Sequence, residues 1–119
     1  MIPIKSEEDL KMLKKSGKIL FKIMHRLKKF IRAGVSTIEI DRLAEKLIKD
    51  ENVISAFKDY NGFPANICTS VNEEVVHGIP GQKMLKDGDI ISLDAGINYK
   101  GYISDVAITM PVGRIDPKV

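Results

Sequence analysis

Residues 90–110 have the sequence IISLDAGINYKGYISDVAITM. Apolar and β-branched residues dominate both sides of the central Lys100-Gly101, a pair typical of a tight turn. The pattern predicts two strands, at 90–99 and 102–110, joined as an antiparallel hairpin. They are the strongest strand signals in the chain, and they place a sheet in its second half.

Each predicted strand carries one carboxylate among apolar residues, Asp94 in the first and Asp105 in the second. If the turn is Tyr99-Lys100, the two aspartates pair directly; if it is Lys100-Gly101, they are diagonal neighbours. In both registers they share one face, with Cβ atoms roughly 5 to 8 Å apart. A loop of odd length without a bulge would place them on opposite faces.

Two like charges on a partly buried face need compensation. A divalent cation would supply it, because such ions prefer hard carboxylate oxygens. Structural or capping roles for the aspartates are a second explanation, and a shared proton is a third. The spacing alone leaves all three open.

The first half of the chain predicts two helices. Ser6 is a suitable N-cap for the first, and apolar residues then recur at helical spacing up to Gly34. Ser36 and Glu39 have the spacing of a capping box at the start of the second. Shorter strands are predicted at 53–57 and 66–71, a strand or extended loop at 74–80, and a turn at 86–89. Helices followed by strands favour an α+β fold, with two N-terminal helices packed on an antiparallel sheet.

The composition of the 119-residue chain fits one globular domain, with 44% hydrophobic and 29% charged residues. No apolar run is long enough to cross a membrane, and residues 1–10 do not form an export signal, so we expect a cytoplasmic protein without a membrane partner. Cys68 is the single cysteine, which fits a reducing compartment. The net charge is +3, and basic residues cluster between positions 11 and 32, as a solvated helix face or as a patch for an acidic partner such as ribosomal RNA.

Two further side chains have both an ordinary and a functional interpretation. His77 lies in His77-Gly78-Ile79-Pro80, as a loop histidine without a role or as a group that meets a substrate. Cys68 is a small buried residue by default, and as a nucleophile it would need His77 as its base.

Residues 60–80, from Tyr60 to Pro80, resemble the central stretch of type I methionine aminopeptidases, which are pita-bread metallopeptidases. The turn at 85–89 follows in the expected place, and the eleven-residue step from Asp94 to Asp105 is the spacing of that family. The resemblance covers essentially the whole chain and corresponds to the N-terminal half of the family fold.

The resemblance implies two similar α+β halves around two divalent metal ions, which are Co, Mn, Fe or Zn. Asp94 would chelate one metal, Asp105 would bridge both, and His77 would contact the substrate and help stabilise the tetrahedral intermediate. The implied activity is metal-dependent hydrolytic removal of the N-terminal methionine of nascent proteins. The pocket for the methionine side chain would be lined by Tyr60, Phe63 and Cys68.

The family takes one further histidine and two glutamates from its second half. By resemblance, residues 1–113 form the N-terminal half and residues 114–119 begin the linker to the second. We therefore expect this half to be inactive alone and to need a C-terminal half or a second copy of itself. The alternative is a non-catalytic or self-associating half-domain that forms a homodimer. Ser104 also stands where many members have glycine.

Overall fold

The computed structural model of the chain describes residues 6–58, 65–72 and 79–113. The predicted α+β class is confirmed, since within these residues two helices are followed by four antiparallel strands. In chain order the elements are α1 (Glu7–Phe30), α2 (Thr37–Asp50), β1 (Ile54–Ser55), β2 (Ile67–Val71), β3 (Ile90–Tyr99) and β4 (Tyr102–Pro111).

Both predicted helix starts are confirmed by their capping contacts. The Ser6 hydroxyl accepts a hydrogen bond from the Asp9 backbone N–H at 3.1 Å. Ser36 accepts from the Glu39 N–H at 3.3 Å and donates to the Glu39 carboxylate at 3.0 Å, which completes the capping box. Each side chain satisfies a backbone donor that has no partner inside its helix. The sequence therefore fixes where both helices begin.

Strand β3 is the centre of the sheet. Strand β4 pairs with it along its whole length, from Ile90↔Pro111 to Tyr99↔Tyr102. Strands β1 and β2 share the opposite edge of β3, where β2 pairs with residues 91–95 and β1 with residues 97–98. The outer edge of β4 has no strand partner among the residues that the structure describes.

Among the described residues, the helices cover one face of the sheet and not the other. Alternate residues of β3 lie on that face and are at most 2% exposed, as expected from the period of two along a strand. They pack against the apolar stripes of both helices, and full burial of each leucine or isoleucine among them contributes about 1.5–3 kcal/mol. The main members of this core are Leu20, Ile23, Leu27, Ile40, Ala44, Ile67, Val71, Ile91, Leu93 and Ile97.

The strand predicted at 53–57 is wrong in extent, because β1 contains only Ile54 and Ser55. The Ser55 hydroxyl accepts hydrogen bonds from the backbone N–H groups of Phe57 at 3.1 Å and Lys58 at 3.2 Å. A serine that binds the amides two and three residues ahead bends the chain into a turn, which competes with strand pairing. None of the described helices is long and apolar enough to span a membrane.

Candidate metal centre on the open sheet face

The register of the β3–β4 hairpin follows from its turn. Lys100 and Gly101 both have positive φ, 52° and 91°, and the Asn98 side chain accepts a hydrogen bond from the Gly101 N–H at 2.7 Å. Positive φ at both central positions gives the type I′ twist that matches two paired strands. The Lys100-Gly101 turn is thus confirmed, and the alternative turn at Tyr99-Lys100 is excluded.

In this register Asp94 pairs with Ala107, and Asp105 pairs with Gly96. The two aspartates are therefore diagonal neighbours on adjacent strands. They lie on one face of the sheet, since residues 105 and 107 of the same strand share a face. The backbone register thus confirms the prediction that the two aspartates lie close together on one face of the sheet.

The expected partial burial of this pair is wrong for the described structure. Asp94 and Asp105 are both exposed, because they lie on the sheet face opposite the helices. Burial therefore gives no reason for charge compensation here. The same exposure leaves both carboxylates accessible to an ion or to another part of a larger fold.

Cys68 is the cross-strand neighbour of Asp94 and is half-buried. Burial raises the pKa of its thiol above the usual 9.0, and the negative charge of Asp94 raises this pKa further. Both effects oppose the thiolate, which is the nucleophilic form of cysteine. Cys68 is therefore better explained as a neutral side chain that packs beside the carboxylates than as a catalytic nucleophile.

Phe57 is a site residue that the sequence analysis missed. A Cβ atom built on Gly96 would lie 3.1 Å from Cε1 of Phe57 and 3.3 Å from Cβ of Ala56. The absence of a side chain at Gly96 therefore lets Phe57 approach the sheet at the position that pairs with Asp105. A glycine inside a strong strand pattern often marks a close approach of this kind, so Gly96 was the sequence feature that could have predicted the contact with Phe57.

Asp41 was also missed, because it lies on α2 among residues read only as a helical stripe. Its Oδ1 accepts hydrogen bonds from the backbone N–H groups of Asn66 at 2.8 Å and Ile67 at 3.0 Å. Its Oδ2 accepts from the Asn66 side-chain amide at 3.2 Å, and the Ser55 hydroxyl donates to the Asn66 carbonyl at 3.0 Å. These bonds hold the start of β2, which carries Cys68 to its place beside Asp94.

The described structure thus brings together three of the predicted site residues, Asp94, Asp105 and Cys68. Tyr60, Phe63 and His77 lie outside the described residues. Across residues 6–58, 65–72 and 79–113, no group of three or more His, Cys, Asp or Glu side chains could hold a metal ion. A metal site with three or more protein ligands that uses the two aspartates must therefore draw its other ligands from outside the described residues.

The helices, the sheet and the paired aspartates define one half of a pita-bread metallopeptidase fold. The chain belongs to metallopeptidase family M24, whose family model matches residues 11–119. It is 50% identical over 115 residues to methionine aminopeptidase 1 of Bacillus subtilis, and 47% identical over 116 residues to a methionine aminopeptidase of Clostridium acetobutylicum. In each case the match covers 97% of this chain and 46% of the relative.

Solved structures give the same result. The methionine aminopeptidase of Rickettsia prowazekii matches with a TM-score of 0.92 and 34% identity, over 99% of this chain and 48% of that one. The enzyme of Thermotoga maritima matches with a TM-score of 0.90 and 39% identity, again over 99% and 48%. An Xaa-Pro dipeptidase of Bacillus anthracis is less similar, with a TM-score of 0.79, 30% identity and coverage of 97% and 31%. The chain spans about half the length of the curated relatives it matches.

Proposed function

We propose that this chain supplies the N-terminal half of a methionine aminopeptidase site, which removes the N-terminal methionine of nascent proteins by metal-dependent hydrolysis. The observation that carries the proposal is the register of the β3–β4 hairpin. It places Asp94 and Asp105 diagonally on one open face, in a chain 50% identical to a methionine aminopeptidase.

The two carboxylates fit a divalent cation as part of its ligand set. They offer hard oxygen donors from adjacent strands, and both residues are exposed. Asp94 would chelate one ion and Asp105 would bridge two, which are Co, Mn, Fe or Zn. When bound, such ions polarise the scissile carbonyl and lower the pKa of a bound water.

The substrate would be held by residues on either side of this pair. His77 would contact the peptide and stabilise the tetrahedral intermediate. Tyr60, Phe63 and Cys68 would line the pocket for the methionine side chain, and a raised pKa keeps Cys68 in its neutral, weakly polar form. Polarisable sulfur and aromatic rings favour contact with a thioether.

The remaining ligands would come from a second half equivalent to the part of the relatives that this chain does not match. Residues 1–113 are then the first half and residues 114–119 the start of a linker, and the first half alone is inactive. The setting would be the cytoplasm, where the basic face of α1 could meet the ribosome as nascent chains emerge. No membrane partner is part of the proposal.

The test is release of methionine from a short Met-Gly peptide in the presence of Mn²⁺ or Co²⁺. The chain is assayed alone and together with the unmatched part of the Bacillus subtilis relative. We expect release only in the mixture, and a loss of about 100-fold or more with Asp94→Asn or Asp105→Asn, since such ions need correctly placed ligands. Asp50→Asn, at the exposed end of α2, is the matched control. Absence of release from the mixture, or release that survives both variants, refutes the proposal.

A second candidate is a self-associating half-domain, and exposed apolar surface favours it. Ile54, Ile90 and Ile103 lie on the open sheet face and are 64%, 52% and 49% exposed. A groove of about 370 Å³ lies between α1 and strand β4, which is at the edge of the described sheet, and Phe21 on its rim is 74% exposed. A copy of the same chain would cover such surfaces by symmetric pairing. A strictly monomeric profile in sedimentation velocity removes this candidate.

A further inference from the structure

Strand β4 carries Asp105 and lies at the edge of the described sheet. On one side it pairs with β3, and on its other side the described residues supply no strand. One face of β4 is open, and the other packs against α1. The position of Asp105 relative to Asp94 therefore depends on how firmly α1 holds β4.

A pair of hydroxyl groups makes this connection. Ser16 of α1 is fully buried, and its Oγ donates a hydrogen bond to the Tyr102 carbonyl at 2.9 Å. Ser104 of β4 lies 2.8 Å from the same Oγ. Because the single Ser16 proton goes to the carbonyl, Ser104 is the donor to Ser16. The chain of bonds runs from Ser104 through Ser16 to the backbone of β4.

A second contact lies two helical turns earlier on α1. The Tyr102 phenol donates to the Asp9 carboxylate at 2.6 Å, which raises the pKa of Tyr102 above its usual 10.0. Asp9 and Ser16 are seven residues apart, so they lie on the same side of α1. Together the two contacts tie the first three residues of β4 to the helix.

The residue after this connection is Asp105. Since side chains alternate across a strand, Ser104 faces α1 while Asp105 faces the open side. We propose that Ser16 and Ser104 are positioning residues, whose hydrogen-bonded hydroxyls hold β4 so that Asp105 and Asp94 bind one divalent cation together. The proposal rests on the function proposed above. It assigns a role to the hydroxyl group of Ser104.

Two variants of Ser104 with the same side-chain shape, one with a hydroxyl group and one without, test whether the hydroxyl group is needed. Ser104 is half-buried and lines the α1–β4 groove of about 370 Å³. This space admits one extra methyl group. Ser104→Thr keeps the donor, whereas Ser104→Val has the same shape without it.

Two measurements apply to the purified chain. Mn²⁺ affinity is taken from the paramagnetic broadening of the Asp94 and Asp105 amide resonances, and amide hydrogen exchange is measured at Asp105. We expect Ser104→Thr to match the wild type, and Ser104→Val to bind Mn²⁺ about fivefold more weakly and exchange faster, as the loss of one buried hydrogen bond predicts. Ser16→Ala should behave like Ser104→Val. If Ser16→Ala does not fold, the comparison of Ser104→Thr with Ser104→Val alone tests the proposal.

The control is Thr109→Val, also on β4. It removes a hydroxyl that lies 2.8 Å from Ser92 on the open face and does not reach α1. Equal Mn²⁺ affinity and exchange in the two Ser104 variants overturn the proposal, as does an equal effect of the control. So does a wild-type chain in which Mn²⁺ broadens neither aspartate. If the hydroxyl effect is found but no methionine is released by the complemented chain, the positioning role stands and the proposed function fails.

Discussion

Replacement of Asp41 by alanine should cost much of the stability of the fold. The side chain is 6% exposed and accepts three hydrogen bonds, two from backbone N–H groups at the start of β2 and one from the Asn66 amide. Alanine leaves all three donors buried without an acceptor. Each buried, unsatisfied donor costs about 1–3 kcal/mol, and local relaxation recovers part of this, so we expect a loss of about 3–5 kcal/mol.

The variant Asp41→Asn separates the acceptor geometry from the charge. Its carbonyl oxygen can take the place of Oδ1 and keep both backbone bonds. The new amide group would face the Asn66 amide, and a 180° rotation of that side chain restores a donor–acceptor pair. We therefore expect a loss of only about 1 kcal/mol, the usual difference between a charged and a neutral acceptor.

Urea unfolding followed by far-ultraviolet circular dichroism measures both variants against the wild type. A small domain has about 5–15 kcal/mol of total stability, so the alanine variant should unfold at a far lower urea concentration. The reasoning is refuted if alanine costs less than about 1 kcal/mol, or if asparagine is as harmful as alanine.

Three further predictions concern single side chains. Asp94→Asn should lower the pKa of Cys68 and speed its alkylation by iodoacetamide, because a neutral neighbour no longer opposes the thiolate. Cys68 is the only cysteine, so whole-protein mass spectrometry measures the rate of its alkylation. An unchanged rate would contradict this prediction. Gly113→Ala should lower the free energy of unfolding by about 1–3 kcal/mol, because Gly113 has a φ of 73° and an added Cβ would overlap the Asp87 carboxylate. Gly88→Ala should lower it less, because Gly88 has a φ of 93° but open space around an added Cβ. Equal melting temperatures of the two variants would show that the overlap at Gly113 has no effect. Asp89 accepts hydrogen bonds from Asn72 and the Lys86 N–H, which lower its pKa below the usual 3.8. Its contribution to stability should be present above pH 3.8 and lost as the pH falls through the lowered value, so the difference in urea midpoint between wild type and Asp89→Asn should be larger at about pH 6 than at about pH 2.5.

The helices and the hairpin were predictable because their signals are local. Ser6 and Ser36 cap the backbone within three residues, and alternation along 90–110 defines which residues share a face. The register needed one fact beyond alternation, namely that Lys100 and Gly101 both take positive φ. With that fact the diagonal relation of the two aspartates follows from the sequence.

The parts that failed or were missed depend on contacts distant in the sequence. Nothing local to the strands says which face the helices cover, so the exposure of Asp94 and Asp105 was not foreseen. The role of Asp41 arises from amides 25 and 26 residues away, and β1 is short because the side chain of Ser55 competes for its own backbone. Helical periodicity cannot reveal either effect.

The register of the two aspartates and the rigidity of their arrangement have different structural origins. A peptide of residues 90–111 contains everything that determines which residues pair, because the turn and the alternation lie within it. An isolated hairpin is at best marginally stable in water, since it cannot offset its own conformational entropy. The order of the pair comes from partners such as Ser16, which is 88 residues from Ser104. Spacing of the two aspartates is therefore a short-range property of the chain, whereas their rigidity is a long-range one, and mutations can change either without the other.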